Sequence, residues 1–119
     1  MKPVEFFNKI LESREKAQIF HWMIKSNEVH LSMESYYTQV IEELDLLIEV
    51  YQGKYGVIDG YGIVKENKET EPIKYFEDLA SFLEKERNCI KQTDTFLHNI
   101  IDEIIALTYK TLFKLKYLP

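Results

Sequence analysis

Two histidines and three carboxylates within one stretch, His21 to Gly53, are the residues of this chain whose types and spacing could bind a metal ion. The stretch reads HWMIKSNEVHLSMESYYTQVIEELDLLIEVYQG and holds two of the three histidines and the single tryptophan. Wound as a helix over residues 29–52 at about 100° per residue, it places His30, Glu34, Thr38, Ile41, Asp45 and Glu49 in one arc. That arc borders an apolar one made by Met33, Tyr37, Val40, Leu44, Ile48 and Tyr51. Imidazole and carboxylate donors together suit iron or manganese, and zinc less exclusively. An ordinary solvated helix edge can carry the same acids.

The elements that must position these donors follow from hydrophobic periodicity. Phe6, Phe7, Ile10, Leu11, Ala17, Phe20, His21 and Ile24 recur at helical spacing behind Pro3, which predicts a first helix over residues 3–25. His21 falls on its apolar face with Arg14 beneath it, and an inward histidine must find a hydrogen-bond partner or a metal. Ser26 or Asn27 can cap a second helix over residues 28–52, and Gly53 is placed to end it. Residues 54–72 hold the remaining glycines and the polar run KENKETEP. Yet Tyr55, Val57, Ile58, Tyr61, Ile63 and Val64 are too apolar for a free linker, so this segment reads as a crossover along a bundle. A third helix over residues 73–89 includes EKER as a solvated turn. Asp94 or Thr93 can cap a fourth over residues 94–115, whose wide apolar arc makes it the most buried. Short, long and short links between four helices predict one all-α domain spanning residues 1–119. It is a four-helix bundle with one long crossover between the second and third helices, the ferritin-like connectivity.

Composition removes several alternatives. With 119 residues and 45% hydrophobic content the chain suits one domain. Its net charge of −5, with lysines gathered only at Lys110, Lys114 and Lys116, disfavours nucleic acid as a partner. No run is long and apolar enough to span a bilayer, and the N-terminus lacks the apolar core of a secretion signal, so a soluble, cytoplasmic protein with no membrane partner is expected. Cys89 is the only cysteine and can form neither an internal disulfide nor a zinc knuckle. The chain has no phosphate-binding loop, dinucleotide fingerprint or nucleophile elbow. Tyr36 and Tyr37 read as core or interface residues, and His98 with Asp102, one turn apart, form a weaker second donor pair.

Distance shapes the metal reading. Eleven residues at about 1.5 Å each put Asp45 about 16 Å along the helix from Glu34, so one chain cannot use both ends of the ladder for one ion. A single site needs His30 and Glu34 from one chain to meet Asp45 and Glu49 from another, across a two-fold axis with antiparallel second helices. The expected partner is then a second copy, a homo-oligomer formed through the second helix.

His21-Trp22, His30, Glu34, Asp45, Glu49 and Gly53 at these spacings resemble the first half of the Dps-like branch of the ferritin superfamily, the DNA-binding proteins from starved cells. The resemblance covers residues 21–53. It implies a ferroxidase-type iron site shared between two-fold related subunits, with His21, His30 and Glu34 from one and Asp45 and Glu49 from the other. The gap between His21 and His30 is shorter than in that family and the basic tail is absent, so DNA compaction is not implied. More loosely, the run HW…H…YY…D…E…YxGxYG resembles small uncharacterised proteins of tailed bacteriophages. Two functions are therefore carried forward. One is an iron-binding protein that oxidises Fe(II), with manganese or zinc as alternative ions. The other is a non-catalytic adaptor, a virion component or host-directed binding protein within a larger phage assembly, located in the host cytoplasm or the virion, with Leu46, Val50 and the crossover as contact surfaces.

Overall fold

Each of the four periodic segments forms a helix: α1 (Pro3–Met23), α2 (Asn27–Tyr55), α3 (Pro72–Glu86) and α4 (Thr95–Tyr117), with a short 3-10 turn at Arg87–Cys89 before α4. The computed structural model describes residues 1–63 and 65–118, so Val64 of the crossover lies outside the described residues. Pro3 opens α1 where a missing N–H costs nothing, and Glu5 returns to accept the Lys2 backbone N–H at 2.9 Å. α1 stops two residues short of expectation because Ile24 turns extended, at φ −96° and ψ 131°. Ser26 then caps α2 by accepting the Val29 N–H at 3.5 Å.

α2 does not end at Gly53. It continues to Tyr55, and the stop is Gly56, whose φ of +91° lies in a region that side-chain-bearing residues rarely adopt. Its N–H closes on the Gln52 carbonyl at 2.8 Å.

The segment after Gly56 runs along α1. Asn8 donates to the Gly60 carbonyl at 2.9 Å and accepts the Gly62 N–H at 3.0 Å. Further along the same helix, Lys16 donates to the Asn67 carbonyl at 2.8 Å. Asn8 and Lys16 are about two helical turns apart, or about 12 Å, so the link climbs α1 from its start towards its end. α3 then descends: Tyr75 meets Phe20 with ring centroids 5.9 Å apart, and Phe82 stacks on Phe6, also at 5.9 Å. α3 is thus antiparallel to α1 and parallel to α2. α4 returns antiparallel to α3, with Tyr109 donating to Glu84 at 2.7 Å and Lys116 pairing with Glu77 at 3.1 Å. α2 packs against α1 and α4, and α3 against α4.

The core is aromatic at both ends of the α1–α3 contact and polar at one point in its middle. Tyr36 is fully buried. Its hydroxyl shares a hydrogen bond of 2.7 Å with Ser13, which donates on to the Ile10 carbonyl at 2.6 Å, and Thr108 of α4 faces the same hydroxyl. Burial pushes the phenol well above its ordinary range, so it stays protonated and ties α2 to α1 through Ser13.

Because that hydroxyl is satisfied, Tyr36 sits at the centre of the buried face of α2 with Met33, Val40, Leu44 and Leu47. The expected apolar arc through Tyr37, Ile48 and Tyr51 is instead half-buried, its flank. The buried face is therefore rotated by roughly 50°, about half a residue, from the sequence reading, and the carboxylates beyond its edge are carried outward.

Candidate metal centre

Three of the five expected donors come together where α1 meets α2. His21, at the end of α1, and His30, at the start of α2, stack with ring centroids 3.7 Å apart and planes 21° from parallel. Each anchors the other's backbone. Nδ1 of His21 lies 2.9 Å from the His30 carbonyl, and Nδ1 of His30 lies 3.0 Å from the His21 carbonyl. A carbonyl can only accept, so Nδ1 carries the proton in both rings and Nε2 keeps its lone pair. The His21 carbonyl belongs to the last turn of α1, where backbone acceptors lack intrahelical partners, so the His30 imidazole also caps that helix end.

Glu34, one turn along α2 from His30, completes the group. Ligand atoms of His21, His30 and Glu34 all lie within 4.8 Å of one another, and among the described residues this is the one group of three or more such donors. Both imidazoles are half-buried and Glu34 is exposed. Among the described residues the Glu34 carboxylate has no ion-pair partner. Arg14, which sits beneath His21 on the same helix, does not take it. The guanidinium lies over the Tyr37 ring at 5.3 Å and reaches Glu15 at 3.0 Å, while Tyr37 meets His21 edge to face with centroids 5.5 Å apart. Imidazole nitrogens held by carbonyl hydrogen bonds on their far side are the usual arrangement for histidine ligands, since the outer bond fixes tautomer and ring orientation.

Asp45 and Glu49 are exposed further along α2 and are not part of this group. Neither has an ion-pair partner among the described residues.

The second donor pair is differently placed. His98 accepts from Arg87 Nε on Nδ1 at 3.1 Å and bonds the Ile90 carbonyl through Nε2 at 3.0 Å. Arginine can only donate and a carbonyl can only accept, so both ring nitrogens are engaged. The same guanidinium donates to the His98 carbonyl at 3.1 Å and to Asp102 at 2.7 Å. This cluster fastens the turn between α3 and α4. It also corrects the reading of EKER as a solvated turn, because Glu84, Lys85 and Glu86 still belong to α3 and Arg87 is half-buried at the centre of the cluster.

A further carboxylate, Asp94, has a structural role other than the helix cap expected of it. Asp94 stands at the N-cap position of α4, yet its side chain makes no capping bond. It is almost fully buried and turns instead to Lys54 and Tyr55 at the end of α2, bonding both. A buried carboxylate requires such partners, and these hydrogen bonds hold its carboxyl below the ordinary aspartate range. Cys89 is half-buried with its thiol pushed up to about 11 by burial, so it offers no thiolate at neutral pH.

An all-helical chain of four packed helices with a His-His-Glu cluster at one interhelical turn defines a class of architecture, not an activity. The chain belongs to a family of unknown function, DUF5856, whose model matches residues 21–115. The matched span begins at His21 and includes His30, Glu34, Asp45 and Glu49. No curated protein and no solved structure matches the chain. No helix among the described residues is long and apolar enough to cross a membrane.

Proposed function

We propose that this protein is a ferritin-like metal-binding protein of the Dps type, which takes Fe(II) as its substrate at a site shared between two copies related by a two-fold axis. The observation that carries the reading is the convergence of His21, His30 and Glu34, with each imidazole tied by Nδ1 to a carbonyl and left with one free nitrogen. The course of the link along α1, with α2 and α3 parallel, supports the ferritin-like part. Asp45 and Glu49, exposed along the same helix, are available to a second chain. Antiparallel α2 helices would bring them to the partner's imidazoles. In the reaction two ferrous ions each give up one electron to hydrogen peroxide, which takes two protons and leaves as two waters. The chain's residues hold the ions: His21 and His30 as neutral donors, Glu34, Asp45 and Glu49 as the anionic ones that offset the ions' charge.

The test is Fe(II) uptake and peroxide-dependent oxidation by purified protein, with sedimentation to report its assembly. Wild type should oxidise Fe(II) as a dimer or larger species, and the double variant Asp45→Ala, Glu49→Ala should lose the oxidation. Unchanged turnover in that variant defeats the shared site.

A second reading rests on the apolar surface. Trp22 is 72% exposed and Val57 89%, and Leu46 is exposed on α2. On this reading the histidine pair only latches the turn, and the protein is a non-catalytic adaptor, for instance a phage virion component. Metal removal would then leave the melting temperature unaltered, and the protein would co-purify with a larger assembly.

A further inference from the structure

We infer that a single chain binds the first transition-metal ion by itself, one per chain, through His21, His30 and Glu34, before any second copy contributes a ligand. The inference rests on the metal-binding reading above but departs from its shared geometry. All three donors come from one chain, within fourteen residues of sequence, and are brought together by the tight α1–α2 turn. The two imidazoles do not wait for a partner to be brought together, because their reciprocal carbonyl bonds, at 2.9 and 3.0 Å, already set them side by side with Nδ1 as the donating nitrogen. Donor atoms sharing one ion at bonds of about 2.1 Å stand about 3.0–3.4 Å apart. The present spread, within 4.8 Å, closes when the stacked rings splay, since a shared ion must lie in the plane of both imidazoles, and when Glu34 rotates inward, its exposed carboxylate having no competing ion pair among the described residues.

Two neutral nitrogens and one carboxylate oxygen favour zinc, iron, cobalt or manganese over magnesium and calcium, which prefer sites made of oxygen alone. Three protein donors also leave coordination positions unfilled. A structural zinc site closes all four, whereas an open site of two histidines and one carboxylate keeps room for water or substrate. Asp45, about 16 Å further along the same helix, cannot fill those positions from within the chain. They are where the partner's carboxylates or the oxidant would enter.

Co(II) is the probe, titrated into metal-free protein at neutral pH and followed by visible absorption and calorimetry. Wild type and the Asp45→Ala, Glu49→Ala variant should each take one Co(II) per chain with the same affinity, in a concentration range where sedimentation reports monomer. His21→Ala should weaken binding by more than about 100-fold, beyond the 10–100-fold typical of losing an outer hydrogen bond. Glu34→Gln, at an exposed position that does not threaten folding, should weaken it by at least about tenfold. Half an ion per chain, or binding lost in the Asp45, Glu49 variant while wild type binds, overturns the single-chain site and leaves the shared one standing. If wild type takes neither Co(II) nor Fe(II), both readings fall. If one Co(II) binds per chain but peroxide oxidises no Fe(II), the single-chain site stands and the ferroxidase reading falls.

Discussion

The α1–α2 turn and the α3–α4 turn lie at opposite ends of the bundle, and each is fastened by histidine to backbone carbonyl. In each, an acid stands four residues after a histidine: Glu34 after His30 and Asp102 after His98. The difference is where the arginine goes. Arg87 fills the second nitrogen of His98 and holds Asp102, so that cluster is saturated with hydrogen bonds. Arg14 is drawn off onto Tyr37 and Glu15. That leaves His21 and His30 with one lone pair each and Glu34 without a cation. One turn is a finished structural joint, and the other has donors to spare.

The largest expected effect separates the two turns by metal. Free Zn(II) at about 100 times its Kd should stabilise the protein by about 2.7 kcal/mol, raising the melting temperature by about 10 °C. That shift should disappear in His21→Ala and persist in His98→Ala. A Zn(II) shift that survives His21→Ala would show the ion bound elsewhere and remove the contrast. Next in size, Arg87→Ala should cost about 2 kcal/mol in metal-free protein, since charge-assisted hydrogen bonds to His98 and Asp102 are lost together. The same change frees His98 Nδ1 and the Asp102 carboxylate, so the variant should gain weak Zn(II) binding that wild type lacks at that turn. A variant as stable as wild type in thermal melts would mean the arginine fastens nothing.

Much of the fold was legible because its signals are local and redundant. Pro3, Ser26 and the helical recurrence of apolar residues mark the ends and faces of helices, and the long apolar link marks a segment that must lie on its own chain. Gly53 misled because helix termination depends on which glycine takes positive φ, and only the path of the following chain decides for Gly56. The rotated face of α2 could not be read, since placing Tyr36 at the centre requires Ser13 from another helix to satisfy its hydroxyl. At the candidate site, spacing marked His21, His30 and Glu34 as possible donors, and the structure brings these three together. It ranked His98 with Asp102 as the weaker pair but could not supply the reason, the choice made by two arginines. Asp94 is a similar case: its cap position was visible, but its attachment to Lys54 and Tyr55 spans about forty residues.

A third test extends the comparison to acid. Hydrogen bonds from Lys54 and Tyr55 hold the folded Asp94 carboxyl below its ordinary value, whereas an unfolded aspartate titrates near ~3.9. The stability this bond contributes is therefore present above about pH 4 and is lost as pH falls through the folded value. Because Lys54 is nearly half exposed, solvent and salt reduce the effect. Melting temperature measured from pH 6 to pH 2 should fall less steeply below pH 4 in Asp94→Asn than in wild type. Parallel curves would mean that Asp94 gains nothing from its partners on folding.

The smallest effect is the most discriminating between a joint and a site. In metal-free protein Glu34→Gln should change stability by no more than about 0.5 kcal/mol, as for an exposed side chain away from any structural feature. Asp102→Asn should cost about 0.5–1 kcal/mol, the loss of a half-exposed pair with Arg87 at 2.7 Å. Urea melts of both variants against wild type resolve these values when compared at fixed slope. If Glu34→Gln destabilises as much as Asp102→Asn without metal, Glu34 has a structural partner after all, and its carboxylate is not held in reserve for an ion. If Glu34→Gln is silent without metal yet removes part of the Zn(II) shift, the same residue is dispensable to the fold and engaged by the ligand, as expected of a binding residue carried on a finished scaffold.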